Sequence, residues 1–132
     1  MVVGAYAAIY YTEPRYTKDL DIWIDLALEN ARRLYAALRE FGAPLKNVTA
    51  EDFTNSRQFY QIGIAPVRVD IISGIKGMEF KSAWGNRRRS RYGSIPINII
   101  GIKDLIASKE ASGRDGDKRD VKKLKRAQKR GF

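Results

Sequence analysis

The chain has 132 residues, enough for one hydrophobic core and not for two. It has no cysteine and no histidine, which excludes disulfides, thiolate or imidazole catalysis and His-ligated zinc. The net charge of +10 is carried wholly by "RRRSR" at 87–91 and by residues 114–132, so chemistry must run on carboxylates, Lys, Arg, Tyr or a hard oxygen-bound metal.

Charge concentrated in two places points to an anionic partner such as nucleic acid or nucleotide phosphate, where the plain alternative is a solubilising surface. No apolar run reaches transmembrane length, and no basic-then-apolar signal opens the chain. A cytoplasmic protein without membrane contact is expected.

In chain order, "MVVG" predicts a very short strand and "AYAAIYY" a helix, ended by the approach to Pro14. "DLDIWI" has the strongest strand propensity. Leu28, Ala31, Leu34, Tyr35, Leu38 and Phe41 recur at helical spacing up to Gly42. "TAED" at 49–52 carries a capping signal for a short turn. "RQFYQIGI" and "VRVDIISGI" read as two strands joined tightly at Ala65-Pro66, and "GMEFKSAWGNRRR" as a helix running into the basic cluster. "SIPINII" predicts a strand, "IKDLIASKEAS" a helix, and "DKRDVKKLKRAQK" a last helix after a break at Gly113–Gly116. There are no repeats. The expectation is one α+β domain over 1–132, its sheet mixed and mostly antiparallel and flanked by helices, with a basic tail at about 122–132.

The carboxylates are the anomaly. Asp19 and Asp21 sit among Leu20, Ile22, Trp23 and Ile24, and strand alternation puts both on one face, roughly 7 Å apart at Cα. Like charges so close raise each other's pKa unless a cation lies between them. Asp70 repeats the oddity inside "PVRVDIIS". Two carboxylates on one strand and a third on its neighbour can bind two Mg²⁺ ions about 4 Å apart, which suits in-line phosphoryl transfer. A D-x-D pair alone is as readily a strand edge or a turn.

"VVGAYA", "PRYTKDLDIWI", "VRVDII" and "IKDLIASKEASGRDGDKRDVKKL", spanning Gly4 to Leu124, together resemble the minimal nucleotidyltransferase-like proteins of the polymerase-beta superfamily. That resemblance implies the nucleotidyltransferase fold, here with the usual N-terminal helix missing. It places Gly4 and Ala5 at the turn whose amides cradle a triphosphate, and Asp19, Asp21 and Asp70 as catalytic ligands of Mg²⁺ or Mn²⁺. Lys109 and Lys118 become phosphate contacts or anchors of the last helices, where the plain reading is surface lysines. Ala5 stands where a second Gly or a Ser is usual. The implied reaction is Mg²⁺-dependent transfer of a nucleoside monophosphate from an NTP to a hydroxyl of an RNA, such as tRNA, or of a protein. A cognate toxin or antitoxin protein is implied as partner, and self-association is expected from the apolar surface the missing helix leaves.

Two other readings compete. A catalytically inactive nucleic-acid- or protein-binding module would use the basic stretches, with Trp84 and Tyr92 stacking on bases, although Trp84 is as readily a packing residue. An Mg²⁺-dependent nuclease would use Asp70 with Glu79-Phe80-Lys81, a pattern that requires the last three on a strand.

Overall fold

A computed structural model of the chain describes residues 1–57, 59–64 and 67–132, with Ile64 and Val67 described by their backbone alone. The expected tight connection at Ala65-Pro66 lies outside these residues. The elements are β1 (Val2–Val3), α1 (Gly4–Tyr11), β2 (Asp19–Trp23), α2 (Leu28–Phe41), a 3-10 turn (Ala50–Thr54), β3 (Phe59–Ile64), β4 (Val67–Ile72), α3 (Phe80–Gly85), β5 (Arg88–Tyr92), β6 (Ile95–Ile99), α4 (Ile102–Ser112) and α5 (Asp115–Lys129).

The strands form one six-stranded sheet in the order β3-β4-β2-β1-β6-β5. β1–β2, β3–β4 and β5–β6 are antiparallel, whereas β2–β4 and β1–β6 are parallel. The architecture is therefore the expected α+β fold with a mixed sheet between helices.

Strand alternation sorts the central side chains. Trp23 and Ile72 share the face of Asp21 and Asp70, and Val3 lies in register with Asp21. The apolar members of that set join Ala7, Ala8, Leu105 and Leu124 in one core beneath α1, α4 and α5. Ile22, Val69 and Ile71 alternate to the opposite face, where Ala31, Leu38 and Phe53 cover them. The apolar spacing from Leu28 to Phe41 supplies that cover, and Gly42 closes α2 in the left-handed conformation at φ 90°. The capping signal at Thr49 is realised, its backbone N–H donating to the Asp52 carboxylate at 2.8 Å.

The structure corrects one stretch of the sequence reading. The helix expected over "GMEFKSAWGNRRR" is six residues long, and the basic cluster continues as the edge strand β5. Arginines carry no strand signature of their own. Pairing with β6 across the turn at Gly93, where φ is 62°, imposes the extended form. The basic stretch at about 122–132 is helix as far as Lys129, and it buries Leu124 and Ala127.

Between α1 and the β5–β6 hairpin an apolar groove of about 600 Å³ stays open, lined by Tyr6, Ile9, Leu20, Ile95 and Ile97 among others. Among the described residues no helix is long and apolar enough to cross a membrane.

Candidate active site

Parallel pairing of β2 with β4 sets Asp19 opposite Arg68 and Asp21 opposite Asp70. On the face they share, one rung thus pairs an acid with a base, and the next rung of the same face pairs two acids. Arg68 donates from a terminal guanidinium nitrogen to Asp19 Oδ2 at 3.0 Å, and its Nε lies 3.5 Å from Asp70 Oδ1. Neither Arg68 Nε nor Asp70 Oδ1 has a hydrogen-bond partner, although both atoms are buried. The cation required between crowded carboxylates is therefore present within the chain, on one side of the cluster only.

On the other side Asp21 stands directly against Asp70, with no cation among the described residues between them. Burial pushes Asp21 up to about 6, helped by the Asp70 carboxylate beside it and, more weakly, by Asp19.

Gly4 closes the cleft from above. Its φ is +67°, and a Cβ placed there would stand 2.4 Å from Asp21 Oδ2. Only glycine meets both demands, and it lets the start of α1 approach the carboxylate. The positive φ falls on Gly4 and not on Ala5, so alanine at position 5 costs the turn nothing.

The far wall comes from α4 and α5. Ile102, Leu105, Ile106 and Lys109 form the buried stripe of α4, and Asp117, Asp120, Leu124 and Ala127 that of α5. A lysine thus continues one apolar stripe and two aspartates begin the other. Where the stripes meet, Lys109 Nζ donates to Asp117 Oδ1 at 3.2 Å and to Asp120 Oδ2 at 2.9 Å. Arg15 also reaches Asp120 Oδ2 at 2.8 Å, and Arg114 Nε reaches Asp117 Oδ2 at 2.9 Å. Burial alone would raise the Asp117 carboxyl, but hydrogen bonds from Ser112, Arg114 and Lys109 outweigh it and hold the group below its ordinary value.

These walls enclose a cleft of about 340 Å³ whose lining includes Gly4, Ala5, Arg15, Thr17, Asp19, Asp21, Lys109 and Arg114. Asp70 lies behind Asp21, with a side-chain exposure of 9%. Lys118 lies outside the lining, on the exposed side of α5, 3.9 Å from Asp115. Sequence reasoning gave no role to Arg68, Arg15 or Arg114. The signal for Arg68 was available, since it stands two residues before Asp70 and shares its face.

Hard oxygen donors suit Mg²⁺, and the buried, unpartnered Asp70 Oδ1 is the kind of atom a cation would satisfy. Among the described residues, however, no three or more Asp, Glu, His or Cys side chains converge on one point as they stand. Asp19 is engaged by Arg68 instead.

The chain is similar to the crystal structure of the lincosamide antibiotic adenylyltransferase LnuA with lincomycin bound, at a TM-score of 0.58 and 15% identity, over 94% of this chain and 84% of that one. This is a nucleotidyltransferase fold. No protein-family model matches the chain, and no curated protein is significantly similar to it in sequence. Within the nucleotidyltransferase fold the competing nuclease pattern loses its geometry. Glu79 stands just before the first residue of α3 and Lys81 lies inside that helix, so the two do not project from one strand face. Trp84 stacks on Phe80 and carries the Arg87 guanidinium 3.9 Å over its ring. It is therefore a packing residue, whereas Tyr92 is 79% exposed at the hairpin tip.

Proposed function

We propose that the protein is a nucleotidyltransferase that moves a nucleoside monophosphate from an NTP to a hydroxyl. The observation that carries this reading is the registered trio Asp19, Asp21 and Asp70 on β2 and β4, with Asp21 directly against the glycine start of α1, in a nucleotidyltransferase fold. The acceptor oxygen forms a bond to the α-phosphorus, the bond from that phosphorus to the β-phosphate bridge breaks, and pyrophosphate leaves. The acceptor proton passes to the Asp21–Asp70 carboxyl pair.

Asp19, Asp21 and Asp70 would hold Mg²⁺ or Mn²⁺, which neutralises charge on the phosphates when bound. Gly4 and Ala5 offer backbone N–H groups at the N-terminus of α1 to the triphosphate. Arg15 and Arg114 line the same cleft with charges that only partly cancel against Asp117 and Asp120. Lys109 has its charge taken up by two aspartates, so its role is to post α5 and thereby to aim Arg15 and Arg114.

The test is incubation with each α-labelled NTP and Mg²⁺, with bulk tRNA or lysate protein as acceptor, beside an Asp70→Asn control. Label appearing on RNA or protein with the wild type alone is expected. No transfer together with no nucleotide binding by calorimetry would remove the reading and favour a non-catalytic binding module, a reading that the Arg68–Asp19 pair itself supports.

RNA is the acceptor class we favour, because Arg88, Arg89 and Arg91 stand exposed on an edge strand beside exposed Tyr92. Changing Arg89 and Arg91 together to Gln is expected to weaken tRNA binding and to flatten its log–log salt dependence by about 1.4, at about 0.7 for each single-strand phosphate contact. Anisotropy titrations across a salt series read this directly, and an unchanged slope would take the hairpin out of the interface.

A further inference from the structure

Arg68 is the residue of the site that a carboxylate cluster built only to receive metal does not require. Its place is fixed by the backbone. Two residues before Asp70 on β4, it shares that residue's face, and the β2–β4 register sets it opposite Asp19. Its guanidinium, with a side-chain exposure of 35%, spans Asp19 at 3.0 Å and Asp70 at 3.5 Å. The second contact is Coulombic only, since neither Nε nor Asp70 Oδ1 makes a hydrogen bond. Arg68 is thus held firmly by one acid and loosely by the other.

We propose that Arg68 is an internal counter-cation that keeps free divalent ions out of the carboxylate site and yields only when metal arrives together with a triphosphate. The proposal rests on the nucleotidyl-transfer reading above. A divalent ion entering alone must take Asp19 from Arg68 and leave a half-buried guanidinium unpaired beside it, with like charges repelling across a few ångströms. A triphosphate changes that balance, because its anionic oxygens give the released guanidinium a charge-assisted, bidentate partner. Metal and nucleotide thereby become coupled ligands, each raising the affinity of the other.

Titration of Mn²⁺ into nucleotide-free protein, followed by the electron paramagnetic resonance of the free ion, tests this without any turnover. Arg68→Met is expected to bind Mn²⁺ about tenfold tighter than wild type or better, because a positive charge has left the shell of the site. Arg68→Gln, which keeps a hydrogen-bond donor for Asp19 without the charge, is expected to do the same and serves if the methionine variant fails to fold. With a non-hydrolysable NTP analogue present, the wild type is expected to gain Mn²⁺ affinity and the gap between the proteins to close. Wild-type binding that needs the analogue, with neither variant tighter in its absence, would overturn the role of Arg68 while leaving nucleotidyl transfer standing. Failure of all three proteins to bind Mn²⁺ even with the analogue would overturn both.

Discussion

Lys109→Ala is expected to destabilise the protein by about 3–5 kcal/mol, the cost of breaking a buried ion pair by removing one partner. Against a total domain stability of about 5–15 kcal/mol, such a loss leaves little margin. The reason lies in what remains. Asp117 and Asp120 are 8% and 5% exposed, and Lys109 is the cation they share between α4 and α5. Arg114 and Arg15 still touch one aspartate each, but from the solvent side, with exposures of 81% and 39%. Urea denaturation at neutral pH measures the loss. A companion variant in which Lys109→Met is combined with Asp117→Asn and Asp120→Asn separates charge from packing. It is expected to recover most of the stability, since no uncompensated charge is left inside. A cost below about 1 kcal/mol for Lys109→Ala would mean that the network is a surface feature, of the kind usually worth little.

That network was half legible. Lys109 falls at the seventh place after Ile102 on the stripe that also holds Leu105 and Ile106, so helical periodicity already aims it inward. Asp117 and Asp120 likewise precede Leu124 and Ala127 at helical spacing. What the periodicity does not give is that these two stripes face each other, because that depends on how α5 turns back after Gly113, which adopts φ 65°. The carboxylates of the sheet were plain for the opposite reason. A period of two inside an apolar strand leaves no ambiguity about which side chains share a face, and three aspartates on such faces stand out against the neighbouring Ile, Val and Trp.

Register was the missing quantity. Arg68 and Asp70 are visible as neighbours on one strand, but the opposition of Arg68 to Asp19 follows only from the parallel pairing of β2 with β4, whose strands are separated by α2, the 3-10 turn and β3. The same dependence on partners hid β5. Three arginines, a serine and a lone tyrosine have little intrinsic claim to be extended, and the strand exists because Ile95–Ile99 lies beside it. Sequence reasoning therefore reached the chemistry of individual elements and stopped where one element is defined by another.

Asp21→Asn is expected to lower transfer by about a thousand-fold, in the range for loss of a positioned proton-transfer group. In the metal-free protein the same change is expected to raise stability at alkaline pH, and the two effects arise from one cause. The folded state holds the Asp21 carboxyl at about 6, above its ordinary value of 3.8, because burial and the adjacent Asp70 disfavour the charge. Folding therefore favours the protonated form. The stability this group contributes is fully present below about pH 4 and is lost as the pH rises through about 6. Asparagine mimics the protonated carboxyl in shape and charge, so the variant and the wild type should be equally stable below about pH 4, diverge between about pH 4 and 6, and keep a constant gap above that. A rise of that size corresponds to about 3 kcal/mol at full value, and solvent screening at a half-exposed group reduces the expected gain to about 1 kcal/mol. Paired urea melts in chelator at about pH 3.5 and at pH 8, beside single-turnover transfer, would read both effects. A loss of stability at pH 8 would show that the charged carboxylate supports the fold, and the case for Asp21 as a group held under strain for chemistry would fall.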